Sequence, residues 1–235
     1  MSQRRAFLLG SAWGAAYVQG TAMAQTPSGP VVRLAELEID AAQVEAFRAA
    51  AQEHIQAALA AERGMLAMHA VAEKDDPTRI RVLEIYVDEQ AYRSHLDAPH
   101  FQRFRSSTQG MIRQRRLHDA TPVLLGTKPR LLADPHVRLA ELEIAPPHLE
   151  AYKAAVSQEI ADSIRLEPGV LAIYSVSLSD APNQLRFLEI YADDAAYRQH
   201  VRSPHFLKYV EVTKSMIVSR KLLEASPIVL GLKTG

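Results

Sequence analysis

Four histidines recur as two pairs. His95 and His100 fall in AYRSHLDAPHF, and His200 and His205 fall in AYRQHVRSPHF, 105 residues later (200 − 95 = 105). Histidine is the side chain whose ordinary pKa, about 6.5, lies nearest neutrality, so an imidazole in a pocket can accept a proton with little tuning. His95 and His200 each follow a tyrosine by one helical turn and are the first candidates for a general base. His100 and His205 follow a proline at a helix start; they are candidates for substrate contact, although hydrogen bonds to the local backbone would account for them as well. Just upstream, both copies of LEIY carry a carboxylate and a phenol, Glu84 with Tyr86 and Glu189 with Tyr191. The phenol can orient a substrate oxygen; the carboxylate can tune an imidazole, hold a hydroxyl, or pair with arginine. His69 and Tyr174 occupy equivalent positions and complete the candidate binding residues. Together these types permit proton abstraction from an acidic hydroxyl.

Other chemistries find no footing. Cysteine is absent, so disulfides, thiolate nucleophiles and Cys-ligated metals are excluded. Neither His-x-His nor His-Glu-x-x-His occurs, and Pro99 between His95 and His100 prevents helical ligation one turn apart, so no metal is expected. No glycine-rich phosphate loop is present, so neither a nucleotide nor a flavin is expected as cofactor. With 27 basic and 27 acidic residues there is no basic excess to recruit nucleic acid.

The elements that must position these residues also come in two copies. Residues 33–126 align without a gap to residues 138–231, with 41 of 94 positions identical. A duplication of that size sets two modules, over residues 30–127 and 135–232. Ahead of them, residues 1–24 read as a cleaved export signal: Arg4-Arg5, an apolar run, then Ala22-Met23-Ala24. The arginine pair suggests a twin-arginine address, with Sec export open, and a periplasmic or secreted protein without a stable membrane anchor.

Within each module, period-2 alternation predicts a strand over Val32–Ile39. Asp40 caps a helix with Gln43 placed for a capping box, and Val44, Phe47, Ala51, Ile55 and Leu59 form its buried stripe. Gly64 and Gly169 are expected to end the helices in left-handed conformation. Strands over Met65–Ala72 and Ile80–Val87 follow as a hairpin. Then come a short helix capped by Asp88, a break at Pro99, a helix reaching Ile112, and a short last strand, Pro122–Gly126. The order is β-α-β-β-α-β, the ferredoxin-like arrangement, in an α+β protein. One sheet face lacks helices, so two modules packed through these faces would form an intramolecular dimeric α+β barrel. Alternation is expected to turn Glu36, Glu38, Glu84 and Tyr86 toward that shared side. The pseudodimer could stand as a monomer or assemble further.

The run Glu-Ile-Tyr-x-Asp-x-x-Ala-Tyr-x-x-His-x-x-x-Pro-His-Phe, together with Glu62-x-Gly64-x-Leu66 and Glu167-Pro168-Gly169-Val170-Leu171, resembles the antibiotic biosynthesis monooxygenase family, in its quinol monooxygenase-like branch. The resemblance covers both modules. It implies a cofactor-independent oxidation of a small aromatic quinol or dihydroxy arene by molecular oxygen, with His95 and His200 as bases and Tyr86 and Tyr191 orienting the substrate. A ligand-binding barrel without activity and an isomerase are the alternatives on this scaffold. The haem-degrading branch uses an Asn–Trp–His set, and the only tryptophan here is Trp13, within the export segment, so haem degradation is not expected.

Overall fold

The computed structural model describes residues 29–132 and 134–233, so the export segment expected over residues 1–24 lies outside the described residues. The first module runs β1 (Val31–Ile39), α1 (Val44–Ala61), β2 (Met65–Glu73), β3 (Arg79–Tyr86), α2 (Glu89–Asp97), α3 (Pro99–Thr108) and β4 (Ile112–Thr127). The second repeats it as β5 (His136–Ile144), α4 (Leu149–Leu166), β6 (Val170–Leu178), β7 (Gln184–Tyr191), α5 (Asp194–His200), α6 (Pro204–Thr213) and β8 (Ile217–Leu232). α1 buries Val44, Phe47, Ala51, Ile55 and Ala58 at helical spacing. Asp40 accepts from the Ala42 amide and opens a short 3-10 turn before α1, while the Gln43 side chain makes no cap.

The eight strands close into one antiparallel barrel in the order β1-β3-β2-β8-β5-β7-β6-β4, and β4 returns to β1. The closure depends on a feature absent from the sequence reading. β4 and β8 are each 16 residues long: β4 begins at Ile112, where the helix is expected to end, and its first half is the stretch between that helix and the short last strand. β4 pairs with β1 through Ala120, then with β6 of the other module from Ala120 to Thr127. β8 does the same between β5 and β2. These first halves are mostly exposed and rich in charge, so they show no apolar alternation to mark a strand.

The strand faces sort in two ways. Val32, Leu34, Leu83 and Ile85 meet Val137, Leu139, Leu188 and Ile190 inside the barrel. Glu36 and Glu141 also face inward, and each pairs across the modules: Arg186 Nε lies 3.5 Å from Glu36 and Arg81 Nη2 3.5 Å from Glu141. For β3 the expected orientation is reversed. Leu83 and Ile85 fill the barrel, and Glu84 and Tyr86 lie under the helices of their own module, as do Glu189 and Tyr191. The reason is register: β1 pairs with β3 so that Glu36 stands opposite Arg81 and Arg33 opposite Glu84, which puts the two glutamates on opposite faces.

Gly64 and Gly169 are needed for space rather than for handedness, since no glycine among the described residues has positive φ. A Cβ on Gly64 would collide with the Cβ of Ala91 on α2, and one on Gly169 with the Cβ of Ala196 on α5. This close approach seats the short histidine-bearing helix on the turn that precedes β2. Gly64→Ala is expected to destabilise the fold by about 1–3 kcal/mol through overpacking. Gly110→Ala, where a Cβ meets nothing within 4 Å, is expected to stay within about 0.5 kcal/mol of wild type. Urea denaturation of the two variants checks the contrast.

Candidate active site

Glu62 ends α1 in extended conformation, and its amide still bonds to Ala58 O. Asp88 caps α2 through the Ala91 amide and carries His95 into the last turn. Ala98 is extended and Pro99 begins α3, which returns His100 toward the same point. Glu62 Oε1 lies 2.7 Å from His95 Nδ1 and 2.6 Å from His100 Nε2. Burial alone would raise the Glu62 carboxyl; the hydrogen bonds and charges of the two imidazoles outweigh it and hold Glu62 below the usual carboxylate value. An ionised carboxylate can only accept, so both ring nitrogens donate. In the neutral form of His95 the proton is therefore on Nδ1 and the lone pair on Nε2. The second module repeats the arrangement, with Glu167 Oε1 at 2.9 Å from His200 Nδ1 and 2.6 Å from His205 Nε2.

The other module holds each of these turns. Lys233, just past β8, donates to the carbonyls of Leu59 (2.6 Å) and Glu62 (3.0 Å). Lys128, just past β4, donates to the carbonyls of Glu167 (2.5 Å) and Pro168 (3.0 Å).

Between each half-sheet and its helices lies a cavity. The second module's cavity, about 400 Å³, is lined by His200, Tyr191, Glu189, Phe187, Phe206 and Tyr209, among others. The first module's, about 280 Å³, is lined by His54, Glu84, Phe47, Tyr92, Phe101 and Phe104, among others. The guanidinium of Arg33 sits 4.2 Å over the Tyr92 ring, and that of Arg138 sits 4.7 Å over Tyr197, bracing one wall in each. Glu84 accepts from the Tyr86 hydroxyl at 2.7 Å, and burial pushes its carboxyl up. Burial, with the adjacent Glu84 charge, keeps Tyr86 protonated.

The two sites are not copies. His54 of α1 stands where α4 has Glu159, and Phe47, Ala58 and Phe104 stand where the second module has Tyr152, Ser163 and Tyr209. Glu159 Oε1 accepts from Ser163 Oγ (2.6 Å) and lies 3.7 Å from His200 Nε2; burial pushes this carboxyl up to about 7. The Tyr152 and Tyr209 hydroxyls meet at 2.5 Å, and burial pushes Tyr209 up to about 12. In the first module His95 Nε2 and His54 Nδ1 are buried and unpartnered.

Of the residues singled out from the sequence, His200, Tyr191 and Glu189 share one cavity wall. Glu84 lines the first cavity, while His95 and Tyr86 stand behind its lining. His100 and His205 sit on the far side of the shared carboxylates and clamp them. His69 and Tyr174 belong to neither cavity: they face each other inside the barrel, ring centres 5.0 Å apart. Sequence reasoning gave no role to Glu62, Glu167, His54 or Glu159. Glu62 and Glu167 were detectable as carboxylates kept at the helix end in both copies. Potential metal donors also come together despite the absence of a local motif: Glu159 with His200 and His205, and Glu62 with His95 and His100. Around Glu62 the 2.6–2.7 Å separations are those of hydrogen bonds, shorter than the roughly 3.3 Å between ligands on one tetrahedral ion; His200 Nε2 stands 3.7 Å from Glu159 Oε1.

The sequence profile of the antibiotic biosynthesis monooxygenase family matches residues 30–107 and again residues 135–212, and the chain belongs to that family. Among solved structures it is similar to a proposed monooxygenase of Lactobacillus acidophilus (24% identity, 88% of this chain and 97% of that one, TM-score 0.83). A proposed monooxygenase of Fusobacterium nucleatum is similar at 18% identity, over 89% of this chain and 97% of that one, with a TM-score of 0.82. An anthrone oxidase-like protein matches at 10% identity, over 88% and 95% of the chains, with a TM-score of 0.57. At these identities the likeness is one of fold. No curated protein matches the sequence.

Burial pushes both His54 and His69 down to about 3. Each stays neutral in the fold and takes up a proton on unfolding at any pH between about 3 and the ordinary 6.5. Folding stability is therefore expected to fall as pH drops through that window. His69→Leu should remove about one proton's worth of the slope, read from denaturation midpoints between pH 7 and 4.

Proposed function

We propose that the chain is a cofactor-independent monooxygenase that oxidises a small quinol or dihydroxy arene with molecular oxygen, and that His200 is its base. The family supports monooxygenase-type chemistry on a small molecule. The observation that carries the assignment is His200 itself: it lines an aromatic cavity, and Glu167 holds its Nδ1 at 2.9 Å so that Nε2 is the accepting nitrogen. A cavity of about 400 Å³ falls in the range of small-molecule sites.

A phenolic proton passes to His200 Nε2. The resulting imidazolium lies between Glu167 and Glu159, 2.9 and 3.7 Å away, which stabilises it in a dry setting. Loss of the proton makes the substrate a stronger reductant, so the electrons for oxygen come from the substrate. One oxygen atom enters the ring and the other leaves as water: a hydroquinone and O2 give a hydroxyquinone and H2O. Phe187 and Phe206 supply ring contacts, and Glu189 and the Tyr209 hydroxyl offer hydrogen bonds to a second substrate oxygen. With residues 1–24 taken as an export signal, the reaction belongs to the periplasm or to the secreted protein.

Oxygen uptake by residues 25–235 with a panel of quinols tests this, with catalase and a metal chelator present. Uptake should survive chelation and, read in a His95→Gln background so that only the second module acts, fall on the order of 100-fold in His200→Gln. Unchanged uptake in that variant removes the base assignment. Turnover without oxygen would mark an isomerase, and saturable binding without turnover a ligand-binding protein.

A further inference from the structure

We infer that the first module has a base of its own: His54 meets the ligand in the cavity and hands the proton to His95 behind it. This rests on the reading of the cavity imidazoles as bases, and it divides the two modules. In the second module the repeated-motif histidine reaches the cavity wall. In the first, His54 and Phe101 are on the wall, and the His95 ring lies behind them, 5.2 Å from His54 and 4.9 Å from Phe101 between centres.

Three observations converge on His54. Its ring stacks on Phe104 at 4.6 Å with 9° between planes, which fixes its orientation. Its Nδ1 and the His95 Nε2 are both buried without a partner, on neighbouring rings that are not hydrogen-bonded to each other at rest, so the handover requires the His95 ring to close on His54. An unpaired buried nitrogen is costly, and two beside one aromatic cavity call for a shared explanation. Third, the Ser163 hydroxyl bonded to Glu159 in the second module, and the Tyr152–Tyr209 hydroxyl pair, have no counterpart around His54. Ser163 is replaced by Ala58, Tyr209 by Phe104 and Tyr152 by Phe47, so nothing competes for the His54 nitrogens.

The groups around His54 come from three elements: His95 on α2, His100, Phe101 and Phe104 on α3, and Glu84 of β3 in the same cavity wall. Burial keeps the His54 imidazole neutral, so it passes a proton on without retaining it. The O–H bond of a phenol breaks as Nε2 of His54 gains a proton, and the Nδ1 proton of His54 moves to His95 Nε2. His54 ends as its other neutral tautomer and His95 as an imidazolium whose Nδ1–H is held by Glu62. No electron moves. The ligand class is a single-ring phenol, matched to the Phe47, Tyr92, Phe101 and Phe104 lining.

The test uses 4-nitrophenol, whose anion absorbs in the visible, added to His200→Gln protein at a pH below the probe's own pKa. Bound probe should be ionised by the first module. Adding His54→Gln, or separately His54→Leu, should reduce the ionised fraction about tenfold or more, and His95→Gln should do the same; melting midpoints confirm that each variant is folded. Ionisation that survives both His54 substitutions and disappears with His95→Gln would overturn the relay, with His95 acting directly. So would the absence of ionisation, or of binding, in His200→Gln alone. Because no oxygen is consumed, failure of the oxygenase reading would leave this result standing.

Discussion

β4 and β8 each belong to two half-sheets at once, and the rest of the molecule depends on that sharing. A strand that pairs first with its own module and then with the other satisfies backbone groups that an isolated sheet edge would leave open. The same strands deliver Lys128 and Lys233 to the turns that carry Glu167 and Glu62. Neither carboxylate is therefore positioned by its own module alone. Inside the barrel, Arg81 with Glu141 and Arg186 with Glu36 repeat the exchange in charge, each pair taking one partner from each half. Buried ion pairs of this kind add little net stability, but an unpartnered charge in their place would be costly, so they select one packing of the halves.

The imidazoles follow from a second economy. A single carboxylate oxygen accepts from two rings, and that choice decides which nitrogen of the motif histidine remains a lone pair. His100 and His205 serve to hold the acceptor, and only in the second module does a motif histidine, His200, reach the cavity wall. The cavities themselves come from helix spacing: α2 and α5 approach the sheet closely only where Gly64 and Gly169 leave room, and the space opens toward α3 and α6.

Much of this was legible in the chain. The duplication, the ferredoxin-like order and the closed barrel could be read because burial periodicity and a repeat are local signals. The crossing halves of β4 and β8 could not, since IRQRRLHD and IVSRKLLE carry charge on an exposed ribbon and lack alternation. The face of Glu84 was misjudged because β3 is buried on both sides, and there alternation does not say which side is which; register with β1 decides it. His95 and His200 were visible as a pair, but the difference between them was not. It arises from residue 54 against residue 159, which no spacing rule connects to either motif. His69 and Tyr174 stood out because the two copies differ there and both types can hydrogen-bond a substrate oxygen; in the fold they are each other's neighbours inside the barrel.

The pseudo-twofold arrangement would normally be built from two identical chains, and then a single codon change would alter both cavities at once. Here His54 and Glu159 occupy one structural position under two separate codons. A tandem gene thus escapes the symmetry it inherited: one half can drift, specialise or be recruited while the other keeps the ancestral chemistry. The shared strands ensure that neither half is lost, because deleting either would unpair the other's sheet.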